Sequence, residues 1–201
     1  MKLYYKAGAC SLAAHITLIA AGLEFSAEAV DLKTKVTEGG DDFLKINPKG
    51  YVPALRDDDG TVLTEGVAIL LHLAAQAPQA GLAPLPADPH YPRLVEWLVF
   101  IATELHKGCV ALFNPAYPPE AKEAVKAQLQ RRLAYTDQAI GAGPYLLGAR
   151  AGVADFYLFT VLSWLPRVGV ALTEWPALSA HYDRVRALPA VQAALRAEKL
   201  I

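Results

Sequence analysis

Residues 1–16 read MKLYYKAGACSLAAHI, and the fold hangs on how that stretch is divided. KLYY, with paired aromatics after a lysine, has strand character, and SLAAHITLIAAGL, beginning at Ser11, has helical character. One of only two cysteines in the chain, Cys10, stands at the junction. A helix N-terminus carries unpaired N–H groups and a partial positive charge, which favours thiolate over thiol. The small residues of AGAC leave room around the sulfur, and Ser11 beside it is placed to donate a hydrogen bond. Position alone suits an inert buried cysteine equally well. CSLA is not C-x-x-C, so an internal dithiol cycle is excluded and any resolving thiol must come from outside.

Working outward, FSAEAVDL reads as a second strand. VPALRDDDGTVLT reads as two strands about a DDDG turn, and EGVAILLHLAAQA as a helix. The order βαβ(α)ββα ends at APQAGLAPLPADPHYP, which holds five prolines in sixteen residues and reads as a linker. Helical patterns dominate from Tyr91 onward. The domains expected are therefore 1–80, α/β, and 87–201, all-α, with the boundary near residues 78–88. In the second, Leu94, Trp97, Leu98, Ile101, Leu105, Cys109 and Leu112 recur at helical spacing as a core stripe. VADFYLFTVLSWLPRVG, apolar nearly all round, is the central buried helix, and PALSAHYDRVRAL and PAVQAALRAEKL complete the bundle, each with proline at a first helical position.

Composition narrows the partners. The chain has 201 residues, 54% of them hydrophobic and 19% charged, with a net charge of −1. That suits a packed core and gives no basic surface for nucleic acid or anionic membrane. Two cysteines about a hundred residues apart make no disulfide framework and no metal-ligand spacing, and His15, His72, His90 and His181 are scattered, so no metal site is expected. Lys2 and Lys6 before AGACSLAAHITLIAAG imitate a secretory leader, but His15 and Thr17 interrupt the apolar run. A lipid anchor on Cys10 would need an apolar segment where Lys6 stands. The longest apolar runs fall well short of the ~20 residues that span a bilayer. The expectation is a soluble cytoplasmic protein with no membrane partner.

Three further stretches carry chemistry. In GYVPAL, a cis bond before Pro53 would turn the N–H and C=O of Val52 towards a peptide-like ligand, whereas a trans proline opening an edge strand is the commoner case. In LTEGVAI, Glu65 and Gly66 open a helix. The backbone N–H groups there can hold a carboxylate while the Glu65 carboxylate holds an ammonium, which fits the amino-acid end of a zwitterion; taken alone, Glu65 also reads as a capping acid. In TELHKG, a 3.6-residue repeat puts Val99, Thr103 and His106 on one face, away from the Leu94/Leu98/Leu105 stripe and out of the bundle core.

Taken together, YYKAGACSLAAHI, NPKGYVPAL, LTEGVAI and IATELHKG, in this order and spacing over essentially the whole chain, resemble the bacterial beta class of cytosolic glutathione S-transferases. The resemblance implies a thioredoxin-like N-terminal domain that binds glutathione, a helical C-terminal domain with an electrophile pocket, and a homodimer. By motif, Cys10 lies beside the glutathione sulfur, Val52 ahead of cis-Pro53 pairs with the cysteinyl backbone, Glu65 and Gly66 bind the γ-glutamyl end, and Lys35 lies near the glycyl end. His106 and Lys107 approach the sulfur, Thr103 and Glu104 border the site, some of them across the dimer interface, and Trp164 lines the acceptor side. Three positions depart from the pattern: Gly66 replaces a serine common in relatives, Val99 stands where asparagine can occur, and Gly152 replaces the Ser or Thr that caps the buried helix, although Asp155 is kept. The cap exchange should cost a few tenths of a kcal/mol.

The activity implied is attack of a stabilised glutathione thiolate on a soft, hydrophobic electrophile, with Cys10, Ser11, His106 and Lys107 stabilising the sulfur and glutathione as co-substrate. Tyr5 is not expected to be the sulfur ligand. The competing readings are a Cys10-dependent thiol–disulfide oxidoreductase or dehalogenase, and a ligandin-like protein that holds hydrophobic compounds without turning them over. A Cys10/His106 hydrolase dyad lacks any accompanying oxyanion-hole motif.

Overall fold

Strand β1 (Lys2–Tyr5) alternates its side chains across the sheet it centres, and that alternation organises the first half of the chain. Leu3 points to one face, where it packs with Ala14, Leu18, Leu55, Ile69 and Leu73. Tyr4 points to the other, among Val30, Phe43, Val52 and Ala54. The structure, a computed structural model, describes residues 1–141 and 143–201.

The sheet has the order β3-β2-β1-β4-β5. β2 (Ser26–Asp31) is parallel to β1, a crossover made by helix α1 (Ser11–Ala21). β3 (Val36–Thr37), β4 (Ala54–Arg56) and β5 (Val62–Thr64) are antiparallel to their neighbours. The DDDG turn closes β4 to β5 as expected: Gly60, at φ 88, returns its N–H to the Asp57 carbonyl. α1 ends at Gly22, whose φ of 66 lets its N–H cap the Ile19 carbonyl. Helix α2 (Gly66–Gln76) follows β5 and packs on α1, so both helices cover the Leu3 face.

The second half is helical. α3 (Tyr91–Phe100) runs through a π-helical turn (Ile101–His106) into α4 (Lys107–Phe113). α5 (Pro119–Ile140) buries Leu129, Leu133, Thr136 and Ile140 along one stripe. α6 (Val153–Leu162) is buried at every position, and Asp155 accepts the N–H of Gly152 at its N-terminus, 2.9 Å. Gly152 has no side chain to return the bond, so one half of a capping box is made. α7 (Pro176–Arg186) contributes His181, whose Nε2 lies 2.7 Å from Asp155 in full burial.

By packing, the chain divides into Met1–Leu85 with Leu188–Ile201, and Pro86–Ala187. The final helix α8 (Pro189–Ala197) thus belongs with the α/β unit and not with the bundle to which its sequence assigned it. Its buried face of Val191, Ala194 and Leu195 lies on α1. Just beyond it, buried Glu198 accepts from His15 of α1 (2.9 Å) and from the Gly8 N–H (2.8 Å), satisfying a carboxylate that burial would otherwise penalise. Among the described residues, no helix is long and apolar enough to cross a membrane.

Candidate active site

In the α/β unit, the loop after β1 delivers Cys10 as the N-cap residue of α1. The Val52–Pro53 bond is cis. The Cys10 thiol donates to the Val52 carbonyl, Sγ···O 3.2 Å, bringing together two motifs 42 residues apart. Cys10 is half-buried, whereas Val52 and Pro53 are buried. Ser11 does not face the sulfur. It is fully buried, and its hydroxyl exchanges hydrogen bonds with the backbone of Lys6, 3.2 Å to both N and O, which braces the loop that carries Cys10. Ser11 retains its place in the first turn of α1, where its backbone N–H is one of the unpaired donors.

Glu65 is the N-cap of α2 at φ 70, a left-handed conformation that costs free energy in a residue other than glycine. Its carboxylate makes no capping bond to α2. Instead Oε1 accepts from the Lys49 ammonium and from the Tyr51 hydroxyl, 2.8 Å. Glu65 therefore does not cap α2 through its side chain, and its carboxylate is held by a lysine and a tyrosine of the chain itself. The hydrogen bond that Lys49 donates to Glu65 raises the pKa of Lys49, and the separate bond from the Tyr51 hydroxyl, with burial, raises that of Tyr51. Gly66 opens α2 with empty space where a side chain would project. Lys35, itself at φ 61, donates from Nζ to the Gly50 carbonyl at 2.6 Å. Cys10, Val52, Tyr51, Glu65, Lys49 and Gly66 form one linked set in this unit. Lys49 and Tyr51 escaped the sequence reading although they flank Val52 in KGYVPAL, because neither residue type announces a partner 14 or more positions away.

In the helical unit, Val99 and Thr103 share an exposed face, with the Thr103 hydroxyl donating to the Val99 carbonyl at 3.0 Å. Glu104 beside them accepts from Arg132 of α5 at 2.7 Å. His106 departs from that face. The π turn has more residues per turn than an α-helix and sets His106 back by roughly a quarter turn. Its Nδ1 lies 2.6 Å from the Tyr157 hydroxyl of α6, and its ring meets Trp164 edge to face at 5.0 Å. Burial, helped by the charge of neighbouring Lys107, pushes the imidazole down to about 4, so it is neutral at pH 7. Lys107 is exposed and borders a concavity of about 480 Å³ with Val110, Phe113 and Tyr117. Trp164 does not line that space. It is 5% exposed and stands behind Phe113, 6.5 Å between rings. Tyr157 was missed because it lies in a run read wholly as core. Among the described residues, no cluster of three or more His, Cys, Asp or Glu is arranged to hold a metal.

A thioredoxin-like sheet with a cysteine at its first helix, a cis-proline facing that cysteine, and a separate helical unit define a class of two-unit glutathione-handling enzymes. Family comparison agrees: a model of the glutathione S-transferase N-terminal domain matches residues 7–76, and one of the C-terminal domain matches residues 100–189. The chain belongs to the glutathione S-transferase family and is an enzyme of that kind. It is 49% identical over 201 residues, all of both chains, to glutathione S-transferase GstA of Escherichia coli O157:H7. Two solved structures match at TM-score 0.96 with 44% identity over the full length of both chains: a sphingomonad glutathione S-transferase complexed with glutathione, and a beta-class enzyme from Sphingomonas chungbukensis.

Proposed function

We propose that the protein conjugates the glutathione thiol to soft hydrophobic electrophiles, a detoxifying reaction carried out in the cytoplasm by a homodimer. The observation that carries this reading is the Cys10–Val52 contact beside cis-Pro53. It sets a thiol-sized site against a backbone edge suited to an extended peptide. Val52 pairs with the cysteinyl portion of glutathione. Glu65 and the first N–H groups of α2, Gly66 included, hold the γ-glutamyl zwitterion, with Lys49 sharing the carboxylate, and Lys35 attends the glycyl end. Cys10 and the N-terminal turn at Ser11 border the sulfur. His106 and Lys107 serve in stabilising the thiolate and Thr103 and Glu104 in binding glutathione, some of these contacts being made across the dimer interface. The concavity beside Lys107 and Phe113, backed by Trp164, takes the electrophile.

The half-exposed Cys10 thiol supports a second activity, thiol–disulfide exchange through a mixed disulfide with glutathione. The Cys10→Ala variant separates the two. Conjugation to an activated aryl halide should persist while exchange disappears. In the native protein, a glutathione-sized mass increment should be lost on reduction and absent from the variant. Glutathione binding without turnover of any electrophile would overturn the assignment in favour of a ligandin-like role. Sedimentation at micromolar concentration should give the mass of two chains.

A further inference from the structure

We propose that the concavity of the helical unit selects aromatic carboxylates: the ring lies against Phe113 and Tyr117, and Arg167 holds the carboxylate. That this concavity takes the acceptor of the reaction rests on the function proposed above; its preference for an aromatic anion does not. Three large apolar side chains, Val110, Phe113 and Tyr117, are exposed together along its wall. Apolar surface gathered in one hollow marks a ligand site, and two aromatic side chains suit a flat ligand. At about 480 Å³ the space accommodates a substituted single ring.

The polar groups around that wall set the sign of the charge it accepts. Lys107 lines the space. The turn Leu165–Val168 packs on α4 and places the Arg167 guanidinium over the Phe113 ring, 5.0 Å from its centroid. Among the described residues, no acid lies within ion-pair distance of either cation, and none lines the concavity. Asn114 adds a donor: its Oδ1 accepts the Ala116 N–H at 2.9 Å, which leaves the amide NH2 as the end open to a ligand. Lys107, Asn114 and Arg167 thus offer donors, and two of the three carry positive charge. A carboxylate, negative and acceptor-only, answers both properties; a neutral carbonyl answers one and an ammonium neither. Arg167 bears the preference because its planar fork can meet a carboxylate through two parallel hydrogen bonds while its face rests on the Phe113 ring. Lys107 adds to the positive field.

The test is titration calorimetry of the full chain at pH 7 and low ionic strength, in the absence of glutathione, with 3-nitrobenzoate and its neutral counterpart 3-nitrobenzamide. The benzoate should bind about tenfold more tightly than the benzamide, the effect of one charge-assisted contact. Acetate, a carboxylate with no ring, should show no measurable binding. Phe113→Ala should weaken both aromatic ligands. Arg167→Gln should reduce the tenfold preference to about twofold, and Arg167→Lys, which keeps the charge and loses the fork, should give an intermediate value. A benzamide that binds as tightly as the benzoate, or a preference untouched by Arg167→Gln, would overturn the proposal. Preference for the benzoate with no turnover of any electrophile would sustain this inference and overturn the proposed function; conjugation of neutral aryl halides without that preference would overturn this inference alone.

Discussion

Gly66 leaves the first turn of α2 without a side chain, and a Cβ there would meet nothing within 4 Å. Gly66→Ser should therefore fit without strain and add a hydroxyl beside the first N–H groups of α2, which are proposed to hold the glutathione carboxylate. Glutathione should bind about fivefold more tightly in calorimetry, the effect of one additional hydrogen bond of about 1 kcal/mol. The two cysteines make a sharper contrast. Cys109 is fully buried and burial pushes its thiol up to about 12, whereas Cys10 is half-exposed. Iodoacetamide should alkylate Cys10 alone in native protein, with the second thiol reacting only after unfolding; a Cys109 adduct on folded protein would contradict this. At this scale, the sequence could single out Cys10, Glu65 and His106 because cysteine and histidine are rare in the chain and Cys10 and Glu65 stand where helices begin. The Ser11 hydroxyl was misread because its partner, the Lys6 backbone, depends on how the preceding loop curls back.

At the scale of elements, the π turn decides what His106 does. A regular 3.6-residue phase groups it with Val99 and Thr103, and no residue in IATELH marks the change of pitch. Deleting Ala102 should restore the α-helical phase, turn His106 away from Tyr157 and lower turnover at least tenfold, by analogy with other misplaced catalytic groups. The buried neutral imidazole also sets a pH dependence. Its folded value of about 4 lies below the ordinary imidazole value of 6.5, so between these the unfolded chain binds the extra proton and stability falls as the pH falls. The loss approaches about 3 kcal/mol by pH 4. Urea unfolding of wild type and His106→Phe should differ by an amount that changes across pH 4–6.5 and stays constant above it. At the start of α6, Asp155 holds Gly152, the Leu146 N–H and His181 together. Asp155→Ala should cost about 3 kcal/mol, since it strands buried partners.

For the whole molecule, the C-terminal segment matters most. Glu198 ties α8 to His15 and to the loop ahead of Cys10, within the α/β unit. Glu198→Ala should lower Tm by about 10 °C, from about 3 kcal/mol lost with a buried, doubly bonded carboxylate. An unchanged Tm would show that α8 docks through its apolar face alone. The sequence by itself determined the element order apart from the two-residue strand β3, which it did not show, the change from α/β to all-helical at the proline-rich stretch, and the motifs that place the family, because periodicity, turn residues and helix-end chemistry are local. Only the tertiary structure decided that α8 returns to the first unit, that His106 pairs with Tyr157, that Glu65 is held by Lys49 and Tyr51, and that Trp164 stands behind the concavity and does not line it. An amphipathic face specifies that it must be buried, and a polar atom that it must be paired. Neither names its partner, which is chosen by the packing of residues far apart in the chain.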